Sequence, residues 1–186
     1  MLAKNTLRRW GAALPLAALL LGAAPAPKTT VYVFLAETCP ISQQATLPLR
    51  ELYGRYASRG VQFVGVFPGS TATAASVAEF GGTYALPFDL RLDPGLQLTR
   101  RLKATVTPEA VVLAADGRTV RYQGRLDDQY AGLGERRTVS QHHELAEALA
   151  DLAAGRPVAV PRAPAVGCFI ELGSAAPVAP VEGNVR

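Results

Sequence analysis

The sequence is poor in the residues from which metal and nucleotide sites are usually built. Its 186 residues include two cysteines and two histidines, so a structural zinc site with four such ligands would use all of them. It also lacks a glycine-rich phosphate loop and a Ser-His-Asp pattern. We therefore expect no bound cofactor and no metal ion.

Charge is also sparse, at 18% of the residues, and the net charge is +4. The basic residues are scattered among acidic ones, and no basic stripe is interleaved with aromatic side chains, so nucleic-acid binding is not expected. Hydrophobic residues make up 49% of the chain, which indicates a folded domain rather than a disordered protein. The length favours one domain with a substantial core.

Residues 1–26 are predicted to be a signal peptide. Lys4 and two arginines precede the apolar run "WGAALPLAALLLGAA", whose length of about 15 residues is short of the roughly 20 that a membrane span needs. Cleavage is expected near Ala24 or Ala26, and an uncleaved N-terminal anchor is the alternative. Only the anchor would imply membrane contact. Export to the periplasm or the extracellular space would allow a disulfide to persist.

Residues 27–155 show hydrophobic patterns that alternate between strands and helices. The predicted order is β-α-β-α-(β)-α-β-β-α, and the last two strands are joined at Asp116-Gly117, a strong hairpin signal. The final helix is predicted from Thr138, with Gln141 completing a capping box, to Gly155. This order indicates an α/β fold with a mixed central sheet and helices on both faces.

Residues 156–186 are rich in proline, alanine and valine and show no helical period. We expect an extended C-terminal tail that carries Cys168, with its last dozen residues disordered.

Cys39 lies at a strand-to-helix junction in "LAETCPISQQ". Its sulfur would face the first turn of a helix, where unpaired N–H groups and the helix dipole favour a thiolate, the nucleophilic form of cysteine. Pro40 suits the first helical position, and Ser42 is expected to donate a hydrogen bond from its hydroxyl to the sulfur. The pattern predicts thiol chemistry at Cys39.

"VTP" precedes an apolar strand, and a proline at that point is compatible with the strand if the Thr107–Pro108 bond is cis. Together with "VFLAETCPIS", "VQFVGVFPG", "TVTPEAVVLAADGRTVRYQGRLDD" and "AGRPVAVPRAPAVGC", this motif resembles the thioredoxin-like superfamily in its exported redoxin branch, the alkyl hydroperoxide reductase/thiol-specific antioxidant group. The resemblance covers about residues 29–170. It implies a thioredoxin-like fold in which Thr107, Pro108 and Pro40 contact an extended substrate beside Cys39.

The sequence departs from this family at several positions. Ser42 stands where thioredoxins have a second cysteine, and Gln43 stands where copper-delivery relatives have one. Tyr32 and Ala36 occupy the positions that carry proline and threonine or serine in typical peroxiredoxins. The resemblance therefore leaves both thiol-disulfide exchange and peroxide reduction open.

Cys168 is the one other cysteine available to react with Cys39. The tail is long enough to fold back across the domain, so Cys168 is either a resolving cysteine, half of a stable bridge, or a free or intermolecular thiol. We expect an exported thiol oxidoreductase that acts on protein thiols and disulfides or on a small peroxide, with an external thiol as reductant. The alternative is a non-catalytic module that binds a partner or copper and carries a structural Cys39–Cys168 disulfide.

Other polar residues have two interpretations each. His142 and His143 are adjacent and are expected to be surface and packing residues rather than metal ligands. Asp127-Asp128 is either a proton relay or a solvated turn, and Arg125 either approaches the thiol or lies at the sheet edge. Glu37 is either a base for Cys39 or an exposed side chain.

Overall fold

The computed structural model describes residues 28–172, so the predicted signal peptide and the last residues of the tail lie outside it. The strands are β1 (Thr29–Phe34), β2 (Val61–Pro68), β3 (Asp89–Asp93), β4 (Val106–Thr107), β5 (Glu109–Leu113), β6 (Val120–Gly124), β7 (Tyr130–Gly132), β8 (Glu135–Arg136), β9 (Arg162–Ala163) and β10 (Cys168–Phe169). The helices are α1 (Pro40–Tyr56), α2 (Ala74–Thr83), α3 (Gln97–Leu102) and α4 (Glu144–Ala153), with a 3-10 turn at Ala57–Arg59.

Six strands form the central sheet in the order β3-β2-β1-β5-β6-β9. Strands β1, β2 and β3 are parallel, whereas β5 runs antiparallel to both β1 and β6. The sheet is therefore mixed, and the predicted hairpin at Asp116-Gly117 joins β5 to β6. Strands β4 and β10 form a separate pair, as do β7 and β8.

The two faces of the sheet are covered by different helices. Alternate residues of β1, such as Val31 and Val33, point into a large apolar cluster with α1, α2 and α4. On the other face, Phe34 packs in a smaller cluster that includes Leu102 of α3. The α/β fold with helices on both faces is confirmed. In residues 28–172 no helix is both long and apolar enough to cross a bilayer.

The start of the last helix differs from the prediction. The helix α4 begins at Glu144 after His143, and Thr138 and Gln141 do not form its cap. Instead, the N–H of Gln141 donates to Asp128 Oδ1 at 2.7 Å, while the N–H of His143 donates to Glu147 Oε1 at 3.1 Å. The segment before the helix is therefore held by a side chain from the preceding loop.

The described part of the predicted tail packs against the domain. It is extended, as expected, and β9 pairs in parallel with β6 at the edge of the central sheet. The close fit is visible at Gly124, because a Cβ there would lie within 2.8 Å of the Ala163 backbone. From this edge the chain continues to β10, which reaches the strand next to Cys39.

Candidate active site around Cys39 and Cys168

Cys39 is fixed by the start of α1. Its backbone is extended, with φ −87° and ψ 114°, and Pro40 follows as the first helical residue. The N–H of Gln43 donates to the Cys39 carbonyl at 3.0 Å, which closes the first helical turn. The predicted junction is confirmed, but the side chain is only 1% exposed.

The loop that contains Thr107 and Pro108 lies against Cys39. The Thr107–Pro108 peptide bond is cis, as the sequence predicted. The Cys39 thiol donates a hydrogen bond to the Thr107 carbonyl at 3.2 Å. Both residues of the loop are buried, whereas Pro40 is exposed beside them. The three predicted substrate contacts therefore lie around one sulfur.

The C-terminal segment brings Cys168 to the same place. Strand β10 is antiparallel to β4, and Cys168 is the register partner of Thr107. The hydroxyl of Thr107 donates to the Cys168 carbonyl at 3.4 Å. The two cysteines are free thiols in this structure, and both lie against Thr107, Cys39 through its sulfur and Cys168 through its backbone. Residues separated by most of the domain thus form a dithiol pair.

The environments of the two thiols shift their pKa values in opposite directions. Burial raises the pKa of Cys39, but hydrogen bonds from the Cys168 side chain and from the backbone amides of Ser42, Cys168 and Ile41 outweigh it, so the pKa falls below its usual value. Burial, the hydrogen bond to Cys39 and its negative charge raise the pKa of Cys168 to about 11. Of the two thiols, Cys39 is therefore the one that loses its proton more readily, and Cys168 is the one that keeps its proton.

The predicted role of the Ser42 hydroxyl is corrected. Ser42 is buried, and its Oγ accepts a hydrogen bond from the Ala36 N–H at 3.2 Å. It is the backbone amide of Ser42 that lowers the pKa of Cys39. The side chain therefore secures the loop that precedes Cys39, and the helix backbone supplies the donor to the sulfur.

Glu37 is engaged in another contact. Its carboxylate accepts a hydrogen bond from the Ser76 hydroxyl at 2.6 Å, and its carbonyl accepts from Gln43 Nε2 at 2.7 Å. Because Ser76 lies in the first turn of α2, Glu37 links the cysteine loop to that helix. Glu37 is therefore a half-buried residue that links two elements, and neither of the two interpretations from the sequence, a base for Cys39 or an exposed side chain, describes it.

The two aspartates after the hairpin differ: Asp127 is partly exposed and accepts the N–H of Gln129, as in a turn, whereas Asp128 is buried. Asp128 is 2% exposed and accepts the N–H groups of Gln141 and His142, and Arg137 lies 3.7 Å from its carboxylate. Although burial raises the pKa of Asp128, these hydrogen bonds and the arginine lower it overall. Asp128 therefore organises the connection to α4.

Arg125 forms an ion pair with a glutamate that sequence analysis did not single out. Its Nε donates to Glu144 Oε1 at 2.7 Å, which joins the end of β6 to the start of α4. His142 and His143 flank the same helix start. Within residues 28–172, no three His, Cys, Asp or Glu side chains form a group that could hold a metal ion.

Gly167 is a further residue that sequence analysis missed. It is buried, and a Cβ at this position would lie 2.2 Å from the Thr107 carbonyl oxygen. Only glycine allows β10 to approach the loop so closely. The sequence did contain a signal for this close approach: a glycine stands directly before the second cysteine, within a stretch of proline, alanine and valine.

Comparison with known proteins gave one family match, in which residues 12–137 fit the Redoxin family model. No curated protein sequence matched the chain. Among solved structures, an uncharacterized conserved protein from Geobacillus kaustophilus is 23% identical with a TM-score of 0.71 over 81% of this chain and 80% of that one. A hypothetical protein from Sinorhizobium meliloti is 21% identical with a TM-score of 0.70 over 80% and 82%.

A third solved structure, from Chlorobium tepidum, is described as that of a "putative Thiol:disulfide interchange protein DsbE". It is 18% identical to this chain and has a TM-score of 0.51 over 70% of this chain and 80% of that one. At these identities the likeness concerns the fold.

Proposed function

Because the chain belongs to the Redoxin family of thioredoxin-like proteins and is in general a thiol-based oxidoreductase, we propose that it is an exported enzyme in which Cys39 is the nucleophile and Cys168 the resolving cysteine. The observation that carries the proposal is that both cysteines lie against Thr107, with the pKa of Cys39 lowered and that of Cys168 raised to about 11. Such a pair is suited to form and release a disulfide.

With a disulfide substrate, the Cys39 thiolate attacks one sulfur and forms a mixed disulfide. The other substrate sulfur leaves as a thiolate and takes up a proton. Cys168 then loses its proton and attacks the Cys39 sulfur, which releases the second substrate thiol and leaves a Cys39–Cys168 disulfide. An external thiol reductant restores the dithiol state and is itself oxidised to a disulfide.

With a small peroxide, the same thiolate would cleave the O–O bond. Cys39 becomes a sulfenic acid while the peroxide leaves as an alcohol or as water. Cys168 attacks the sulfenic sulfur, and hydroxide leaves as water after taking the thiol proton. Both reactions end in the same disulfide, so they differ only in the oxidant.

The substrate would be held at the loop that faces Cys39. Thr107 and Pro108 belong to this loop, and the exposed Pro40 lies at the start of α1. Protein thiols and disulfides, or a small peroxide, are the proposed partners. An extended peptide would pair with backbone groups beside the sulfur only after β10 has moved away from them. Residues 1–26 are proposed to direct the chain out of the cytoplasm, which fits a disulfide that persists after formation.

Cysteine variants test this function. Cys39→Ser should reduce turnover with both a protein disulfide and hydrogen peroxide to background, because the nucleophile is lost. Cys168→Ser should retain the first attack and accumulate a mixed disulfide or sulfenic acid at Cys39. Trapped adducts are identified by mass spectrometry under quench conditions.

The result that would contradict the proposal is a Cys39 thiol in the unaltered protein that titrates near its usual pKa and reacts with neither oxidant. That result would favour the non-catalytic binding module.

A further inference from the structure

Strand β4 pairs with an extended segment from the C-terminal part of the chain, so its edge accepts a strand by backbone pairing. This strand has only two residues, Val106 and Thr107, and it lies outside the central sheet, next to the loop that contacts Cys39. Its edge is taken by the chain's own strand β10. A strand that adds to such an edge gains affinity from main-chain hydrogen bonds.

Residues 167–170, which we call the covering segment, follow this edge closely. Cys168 pairs with Thr107 and Phe169 with Val106, and the N–H of Ile170 donates to the Thr105 carbonyl at 2.9 Å. This register places the Cys168 sulfur next to the Cys39 sulfur. A disulfide-bearing peptide that delivered its own sulfur to Cys39 along this edge would need the same backbone groups.

The fit of the covering segment depends on Gly167. A Cβ at this residue would lie 2.2 Å from the carbonyl oxygen of Thr107 and 3.1 Å from the nitrogen of Pro108. Both atoms belong to the backbone, so they cannot move aside as a flexible side chain would. Glycine is needed here for close approach, and alanine would push the segment away from the edge.

Cys39 is inaccessible while this segment is in place. Its side chain is 1% exposed, and Cys168 contacts it from the covering segment. A large oxidant therefore meets two obstacles at the same point, namely a buried sulfur and an occupied strand edge. A small oxidant needs no strand edge, only a brief local opening.

We propose that residues 167–170 determine specificity by occupying the peptide-binding edge of β4, so that the dithiol protein reacts more readily with small oxidants than with disulfides held in other proteins. The inference rests on the proposed function, in which Cys39 is the nucleophile. With either kind of disulfide the two cysteines lose two protons and two electrons, and the oxidant becomes two thiols. The covering segment changes only which oxidant can approach.

The test compares two oxidants, insulin as a protein disulfide and oxidised glutathione as a small one. Gly167→Ala introduces the backbone clash, and Ile170→Pro independently removes the donor to Thr105. Two substitutions serve as matched controls. In Gly54→Ala the new Cβ meets nothing within 4 Å, and in Phe169→Ala the replaced side chain is 79% exposed.

The reduced full-length proteins are mixed with each oxidant, and the loss of the Cys39 thiol is followed by quenched mass spectrometry. The readout is the ratio of the insulin rate to the glutathione rate, since a changed Cys39 pKa alters both rates together. We expect this ratio to rise about tenfold in both Gly167→Ala and Ile170→Pro relative to the controls. The overpacked contact in the first variant and the lost hydrogen bond in the second should each weaken the pairing of the segment by about 1.4 kcal/mol, which corresponds to a factor of ten.

An unchanged ratio in both variants, with Cys39 still reacting with glutathione, would overturn the inference and leave the proposed function intact. A Cys39 that reacts with neither oxidant in any variant would overturn the proposed function and the inference with it. A variant that is reactive towards insulin when the unaltered protein is not would support the covering role.

Discussion

The two cysteines are held by regions that differ in how they are stabilised. Cys39 lies between a central strand and a long helix, and α1 buries six of its residues against the sheet and neighbouring helices. Cys168 lies in a two-residue strand that is attached by a few backbone hydrogen bonds and one side-chain bond. The proposed nucleophile therefore belongs to the core, and its proposed partner belongs to a lightly attached segment of the kind that opens locally more easily than a core does.

In the proposed function, this difference has a chemical use. A thiolate benefits from fixed donors, and the amides of Ile41 and Ser42 are fixed by the helix. A resolving thiol must make way for the substrate and then return, which a lightly attached strand permits. Single substitutions can separate the stability of the core from the position and chemistry of the segment.

Core and segment should differ most in their contribution to stability. Leu149 of α4 is 1% exposed in the main apolar cluster, so Leu149→Ala should lower the free energy of unfolding by about 2–5 kcal/mol. Phe169→Ala removes a side chain that is 79% exposed and should change it by less than about 0.5 kcal/mol. Urea denaturation measures both. Equal losses of unfolding free energy in the two variants would show that the segment stabilises the fold as much as the core does.

The pKa of Cys39 should depend on the donor that the segment supplies. Cys168→Ala removes the side-chain hydrogen bond to the thiolate, so the charged form is less favoured and the pKa of Cys39 should rise. Cys168→Ser keeps a hydroxyl donor at this place and should retain most of the lowered pKa. The pH dependence of Cys39 alkylation measures it, and the same profile in both variants would contradict the role of Cys168.

Ser42→Ala should have the smallest effect on the pKa of Cys39. The backbone amide that faces the sulfur is kept, so the alkylation profile of Cys39 should stay close to that of the unaltered protein. The lost bond to the Ala36 N–H should cost about 1 kcal/mol of unfolding free energy, a typical value for one hydrogen bond. A clear rise in the Cys39 pKa would instead show that the Ser42 hydroxyl is the donor to the sulfur.

Sequence reasoning succeeded where a structure depends on neighbouring residues. The junction at Cys39, the hairpin at Asp116-Gly117 and the cis bond before Pro108 each have a short-range signal. It failed where a side chain distant in the sequence determines the local structure. The start of α4 depends on Asp128, whose carboxylate accepts the N–H groups of Gln141 and His142 and so displaces the expected cap.

The position of Cys168 lies between these cases. A composition without helical period predicted an extended tail, but a two-residue strand has no pattern from which its register can be read. The contact with Cys39 follows from β9 at the sheet edge and from the space that Gly167 leaves. Similarly, the choice between the Ser42 hydroxyl and its amide needs coordinates, since both lie near the helix start.

The connectivity of the two cysteines tests the central claim most directly. The purified full-length protein is brought to equilibrium in a series of thiol–disulfide buffers, the remaining thiols are alkylated, and the peptides are mapped by mass spectrometry. The account predicts that a single intramolecular Cys39–Cys168 disulfide forms reversibly across one two-electron transition. Two free thiols under oxidising conditions, or a disulfide to a second chain, would contradict it.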